Sequence, residues 1–349
     1  MDVIRYAVVG CGAIATNYHL PALARIEQAR FIVACDLDEQ RARETAAKFG
    51  APETASDYRA VVARDDLDLV CVFTKIDSHA EIAIDAAQAG KHVFIQKPFA
   101  RSVAEGRTMV AAAREADVRL IPAFMHHYFD ESLLAAELVR SGAIGEVEFM
   151  RQRNCTRNPR ATVGSYGGAL MDIGAHGIDL IRAVTGAEIV RVAARFDDQA
   201  GGCVISDDDL RAERDLRGAD LSAFALYELS SGATVSHEVQ WSQPAGPARF
   251  AAEIYGTEGT IFVRVPGMRG DLAYFSERAD APTARDPEAW IVPELRDREM
   301  GAAHHEALIG DLLTGDGSAQ DAEDGLAVLC VCEAARQSAF TGCWTDVLE

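Results

Sequence analysis

Two short segments carry residue types and spacings suited to acid–base chemistry. In YGGALMDIGAHGIDLIRAVTG, Asp172, His176 and Asp179 recur at i, i+4 and i+7. At about 100° per residue on a helix they share a stripe roughly 60° wide. Gly168 falls on the same side and Gly174 and Gly177 lie close by, so something bulky could approach this face. A carboxylate one turn before a histidine can hold the imidazole's orientation and raise its basicity, as a general base requires. The same spacing also arises where an aspartate caps a helix and the histidine is a satisfied core residue, so D-x-x-x-H alone does not decide. The second segment is Gln96-Lys97-Pro98, immediately after the strand-like HVFI. Proline restricts Lys97 to extended backbone, and the carboxyl edge of a strand is where open α/β sheets bind ligands. The chain has only four lysines, at 48, 75, 91 and 97, among 34 basic residues. A lysine kept here favours a role for a compact, tunable ammonium over that of a solvated surface residue.

These groups need a scaffold, and the apolar pattern supplies one. Strands are expected at 3–9, 31–35, 68–73, 92–95 and 119–122, alternating with helices at 13–26, 38–49, 79–89 and 102–115. This alternation is that of a doubly wound parallel sheet. The first strand runs into Gly10-Cys11-Gly12-Ala13-Ile14-Ala15 and then a helix, the Gly-x-Gly-x-x-Gly/Ala fingerprint of a dinucleotide site in its required context. Gly10 allows the tight turn, Gly12 lets backbone N–H groups approach a pyrophosphate, and Ala15 permits close helix–strand packing. The second strand ends at Asp36, where a carboxylate can accept hydrogen bonds from an adenosine ribose diol. Asp36 repels a 2′-phosphate and the adjoining Leu37 offers no cation, so NAD is favoured over NADP; Arg41 or Arg43 could overturn that preference by folding back over the ribose. Past residue 123 come a helix at 130–141 and alternating strands at 146–153, 188–196, 221–228, 233–241, 249–255 and 259–264. Helices at 302–315 and 321–341 follow, and the charged, glycine-rich 197–220 reads as an exposed loop or short insert. The expected α/β architecture is a Rossmann domain over 1–123 and an α/β domain over 124–349 with a large, mostly antiparallel open sheet, its C-terminal helices free to pack back on the first domain.

Composition removes other classes. A chain of 349 residues suggests two domains at about 150 residues each. A net charge of -20 argues against nucleic acid and anionic membrane as partners. Neither a leader nor a run of about 18 apolar residues is seen, and the eight scattered cysteines read as reduced core thiols of a cytoplasmic protein. His304-His305-Glu306 lacks the later histidine of a zinc motif, because position 309 is isoleucine. Asp207-Asp208-Asp209 lacks the alternating ligands of a calcium loop, no G-x-S-x-G elbow is present, and Cys330 and Cys332 fit core packing. No metal is implied.

In GCGAIA, CDLDEQRA, HAEIAIDAAQAGKHVFIQKP, SGAIGEV, GGALMDIGAHGIDL and YGTEGTI, in this order, the chain resembles the glucose-fructose oxidoreductase / inositol dehydrogenase / rhizopine catabolism family over nearly its whole length. The resemblance implies NAD(P)-dependent redox chemistry at a carbinol of a sugar or cyclitol, and a homodimer or homotetramer formed through the C-terminal sheet. It places Lys97, Asp172 and His176 in the active site, with Asp179 as the trailing acid of the same motif. Gly10, Gly12, Ala13, Ile14, Asp36, Leu37, Thr74, His79, Gln96 and Lys97 are then expected at the cofactor. His126, His127 and Tyr128 would line the cleft or else serve interdomain packing. Arg157, Asn158, Arg160 and Tyr166 are candidates for a polyol, and Trp241 for an apolar wall. Two departures stand out: Gln96 replaces the family's usual glutamate, and Thr74-Lys75-Ile76 its Thr-Pro-Asn. The expected reaction has His176 removing the hydroxyl proton, Asp172 orienting the imidazole and Lys97 hydrogen-bonding the reacting oxygen. The alternatives are NAD-assisted glycoside cleavage without net redox, and a non-catalytic NAD-sensing protein.

Overall fold

The apolar run Ile4–Val9 forms strand β1, the centre of a six-stranded parallel sheet in a computed structural model of the chain. The structure describes residues 2–158, 167–197, 220–242, 249–265, 270–278, 281, 290–296, 298, 299 and 301–348. They divide into two compact units, 1–125 with 298–327 and 126–297 with 328–349. In the first, β1 is joined by β2 (Ala29–Cys35), β3 (Glu53–Ala55), β4 (Leu69–Val72), β5 (His92–Ile95) and β6 (Leu120–Pro122) in the order 3-2-1-4-5-6. Five of these strands match the expected ones; β3 is an addition, short, polar and at the sheet edge. The order reverses between β1 and β4, so the connections leaving their carboxyl ends run to opposite faces of the sheet, and the crevice there is where such sheets bind ligands.

The helix expected over 13–26 departs from a regular α-helix. It opens with a π turn, Ala15–His19, closed by the Leu20 N–H on the Ala15 carbonyl, and continues only as α1 (Leu20–Leu23). Pro21 lies where the winding changes and has no N–H to give to the turn before it. The next helices are α2 (Glu39–Phe49), α3 (Tyr58–Val62), α4 (His79–Gln88) and α5 (Val103–Glu115). Asp38 caps α2 by accepting from the Gln40 and Arg41 N–H groups, and Ser102 caps α5 through Glu105 N–H. Tyr6, Val8, Leu69, Cys71 and Phe94 form the core with Leu308 and Ile309, so the helix Ala302–Thr314 packs on this sheet.

The second unit is built on an eight-stranded sheet of β7 (Val147–Cys155), β8 (Ile189–Asp197), β9 (Ser222–Leu229), β10 (Thr234–Gln240), β11 (Phe250–Gly256), β12 (Gly259–Val265), β13 (Asp271–Ser276) and β14 (Thr345–Asp346). Their order is 13-12-11-7-10-9-8-14, antiparallel except for the β7–β10 pair. The patterned strands are all present; β13 and the two-residue β14 extend the edges. Alternation follows the pleat: Ala223, Ala225 and Tyr227 of β9 point inward, Phe224 and Leu226 outward. Helix α6 (Asp130–Arg140) precedes the sheet, and a second π turn, Leu170–Gly174, leads into α7 (Ala175–Thr185), which ends at Gly186 in the left-handed region. Residues 198–219 of the expected loop lie outside the described residues, and its last residue, Asp220, is buried rather than exposed.

Candidate active site

Every expected cofactor residue lies at or beyond the carboxyl end of a first-unit strand. Gly10 follows β1 with φ +96°, and a Cβ there would stand 2.7 Å from the Phe73 carbonyl carbon and oxygen. Glycine is required both by the turn and by the close approach of β4's end. A Cβ on Gly12 would meet nothing within 4 Å, which leaves that side of the turn open to a ligand. Ala15 is fully buried, and Ala13 and Ile14 are exposed. Asp36, after β2, accepts from the Cys11 N–H (2.8 Å) and the Asp38 N–H (2.9 Å), so this carboxylate and the glycine turn fix one another. Arg41 folds back onto Asp36 (3.2 Å), whereas Arg43 runs along α2 to Glu39 and Gln40. Leu37 is 93% exposed. The open glycine turn and the ordered carboxylate fit a dinucleotide.

The loops after β4 and β5 are tied together by His79. Its Nδ1 is 2.9 Å from the Pro98 carbonyl and its Nε2 3.2 Å from the Thr74 carbonyl. Burial pulls its pKa down while those carbonyls act the other way. His79 thus shapes the crevice through backbone. Thr74 accepts from the Ser78 hydroxyl (2.8 Å). Gln96 is buried; its Oε1 accepts from the Lys97 N–H (3.0 Å) and its Nε2 meets His19 Nε2 (2.6 Å). The Lys97–Pro98 peptide is cis, and the Lys97 side chain is partly exposed.

In the second unit Asp172, His176 and Asp179 are all buried, at 4, 5 and 2% exposure. Asp172 lies inside the π turn and does not cap the helix; that end is held by Asp220, whose carboxylate accepts from Leu170 N–H (2.9 Å). Burial pushes the Asp220 carboxyl up, against the pull of its backbone donors and of Arg336. His176 is stacked face to face with His126 (centroids 4.1 Å, 26° between planes), and Phe129 and Phe250 pack on His126. His127 Nδ1 stands 3.5 Å from Asp179 Oδ2. Tyr128 is buried with its ring beside His127. His126 and His127 therefore touch the His176 helix directly.

Several expectations are corrected by packing. What approaches the three glycines is protein: a Cβ on Gly168 would strike Asp220, on Gly174 Leu170 and Val239, and on Gly177 Asn154 and His237. They let the helix seat on the sheet. Trp241 is fully buried, so it is core and not a wall. Cys343 is exposed, unlike the six other described cysteines. Arg157 is exposed and bridges backbone with Ser242, beside the partly buried Asn158. Arg160, Tyr166, Cys203 and Asp207–Asp209 lie outside the described residues.

Residues 4–124 match the family model described as an oxidoreductase family with NAD-binding Rossmann fold, and residues 133–262 match the GFO/IDH/MocA C-terminal domain. The chain belongs to this family. It is 25% identical to a myo-inositol 2-dehydrogenase of Thermotoga maritima over 96% of both chains. It is 27% identical to a levoglucosan dehydrogenase of Pseudarthrobacter phenanthrenivorans over 90% of this chain and 89% of that one. A crystal structure of an oxidoreductase domain protein from Kribbella flavida superposes over the full length of both chains with a TM-score of 0.85 at 27% identity. The chain is thus an NAD-binding oxidoreductase with the family's parallel first sheet and mostly antiparallel second sheet. Among the described residues no helix is long and apolar enough to cross a membrane.

Sequence reasoning missed two features of this oxidoreductase. Asp220 holds the His176 helix from 50 residues away. His304 and His305, weighed only as a metal motif, instead gather around His19 beneath Gln96. Neither grouping has a local spacing by which it could be read.

Proposed function

We propose that this oxidoreductase interconverts a secondary alcohol and a ketone on a sugar, sugar derivative or cyclitol, with His176 as general base, Asp172 as its orienting carboxylate and Lys97 as hydrogen-bond donor to the reacting oxygen. The observation that carries this is the burial of an imidazole on one helix with Asp172 and Asp179, its face covered by His126. Removed from water, such an imidazole is held in one orientation and can take a hydroxyl proton as negative charge develops on oxygen. NAD, when bound, supplies the hydride acceptor. Gly10, Gly12, Ala13, Ile14 and Asp36 would hold it, with Thr74, His79 and Gln96 shaping the crevice. His126, Tyr128, Asp179 and Arg157 are the further candidates for contact with the polyol, together with Tyr166. The relatives' names, an inositol dehydrogenase and a levoglucosan dehydrogenase, support cyclic polyols as the substrate class.

NAD is preferred over NADP because Asp36 keeps a carboxylate at the ribose, although Arg41 beside it moderates the repulsion of a phosphate. The outer sheet face, with Phe149, Phe224, Leu226 and Phe262 exposed among Arg151 and Glu238, supports a homodimer or homotetramer formed there. The described thiols are free, which supports a cytoplasmic protein. The test is a spectrophotometric screen of inositols and sugars with NAD and NADP separately, in wild type and His176→Ala. The variant should lose at least about a hundredfold in the chemical step. Near-normal turnover in it would refute the assignment.

A further inference from the structure

The buried contacts behind Gln96 have a direction that can be worked out atom by atom. The Lys97 backbone N–H can only donate, so the Gln96 atom it meets at 3.0 Å is the amide oxygen. The Gln96 NH2 therefore faces His19 Nε2 at 2.6 Å and donates to it. With Nε2 accepting, a neutral His19 carries its proton on Nδ1 and donates to His305 Nε2 at 2.9 Å. His305 in turn carries its proton on Nδ1 and donates to the Gly301 carbonyl at 2.7 Å. Each link leaves one choice for the next.

We propose that Gln96 is a positioning residue for Lys97, acting as the head of a one-way hydrogen-bond relay, Gln96 to His19 to His305 to the Gly301 carbonyl, that keeps both imidazoles neutral in the Nδ1–H form. The relay ties the backbone just beyond β5 to the π turn at Ala15–His19 and to the start of the helix Ala302–Thr314, all within the first unit. Its walls are aromatic: Phe73 stacks on His19 at 4.1 Å, and Phe94 meets both His19 and His305 edge-on. The titratable groups facing the pair are Tyr18 from the π turn and His304 from the helix. Gly301 has φ +80°, and a Cβ there would stand 3.3 Å from His305 Nδ1 and from the Tyr18 ring, so the last acceptor also depends on a glycine. Burial and the neighbouring histidines hold His19 well below its ordinary pKa, and burial lowers His305 to about 4.

A glutamate at 96 reverses the logic. One carboxylate oxygen still accepts from the Lys97 N–H, but the other needs a proton on His19 Nε2. The whole chain then turns round, leaving a bare His305 Nδ1 against the Gly301 carbonyl. One added proton on the imidazole pair removes that clash. Gln96→Glu should therefore take up a proton near neutral pH, and lose the relay and its hold on the Lys97 amide once that proton leaves.

The functional consequence rests on the dehydrogenase reading; the relay itself does not. Nitrogen-15 spectra of histidine-labelled protein should show His19 and His305 as neutral Nδ1–H tautomers that do not titrate between pH 8 and 5.5. Gln96→Glu should show one imidazolium in this pair at pH 7, and a kcat that falls about tenfold on an alkaline limb absent from wild type, the size of one lost hydrogen bond. An Nε2–H tautomer at either histidine in wild type overturns the relay, and that spectrum decides even if the variant fails to fold. A variant pH profile superimposable on wild type overturns the positioning role. Wild-type spectra as described, with no turnover of any polyol, would uphold the relay and sink the dehydrogenase reading instead.

Discussion

Lowering the pH from 7 to 5 should destabilise this protein through its buried histidines, before most carboxylates titrate. His237 in the second unit donates from Nε2 to Asn154 and accepts at Nδ1 from the Tyr227 hydroxyl, both at 3.0 Å. Burial lowers its pKa from 6.5 to about 3, and that of His305 from 6.5 to about 4. With the folded pKa depressed, the unfolded chain takes the proton first. The stabilisation is complete above pH 6.5 and drains as pH falls toward the folded values. At pH 5, about 1.5 pH units below the unfolded pKa, each imidazole has cost roughly 2 kcal/mol at 1.36 kcal/mol per unit. His19, also held well below 6.5, acts in the same sense. Asp220, pushed up by burial, acts in the opposite sense, gaining stability as it protonates. The measurement is potentiometric: unfolding in guanidinium at pH 6 should draw about 0.75 proton per buried imidazole, or about two for these three, with His79 and His92, whose pKa values burial also lowers, adding to the count. This count does not require the two units to unfold together. An uptake below one proton would refute neutral burial of the histidines.

Three further outcomes follow from local geometry. Gly10→Ala adds a Cβ at a positive φ and against the Phe73 backbone, so it should cost more than about 1 kcal/mol in stability and abolish NAD binding by calorimetry; binding within threefold of wild type would contradict the crevice geometry. Asp220→Ala removes the acceptor from the buried Leu170 N–H and should lower stability by about 1–3 kcal/mol in thermal melts, with Asp220→Asn milder; an unchanged melt would show that the helix end is held otherwise. Arg41→Ala should change stability by less than about 1 kcal/mol, since its side chain is half exposed, while lowering kcat/KM for NADP more than for NAD; equal losses would remove Arg41 from cofactor choice.

The parallel sheet was readable because buried central strands such as Leu69–Val72 and His92–Ile95 are short apolar runs between helix patterns. Glu53–Ala55 was not, because a polar edge strand of three residues has no such signature. Gly10 was readable as a backbone requirement that only glycine meets. Gly174 and Gly177 were readable as a face open to close approach, but whether a ligand or a sheet fills the space was not; side chains of the sheet do. The His19, Gln96 and His305 contacts span separations of 77 and 286 residues, beyond any local pattern.

The helix bearing His176 shows why spacing alone stops short of chemistry. A stripe drawn at 3.6 residues per turn assumes uniform winding, yet Leu170–Gly174 is a π turn with wider winding. His176 and Asp179 both lie in the α-helical part, so their shared bearing survives. Asp172 lies inside the π turn, so its bearing relative to His176 differs from the one the α-helical count assigns. What orients that turn is not in the motif: Asp220 holds its first N–H, and Asn154 and His237 press on the helix at Gly177. The placement of Asp172 relative to His176 is thus set by the sheet as much as by D-x-x-x-H. Asp220→Asn, which keeps an acceptor but removes a charge, should therefore shift the pH profile of kcat as well as the melting temperature. A purely structural cap would move only the second.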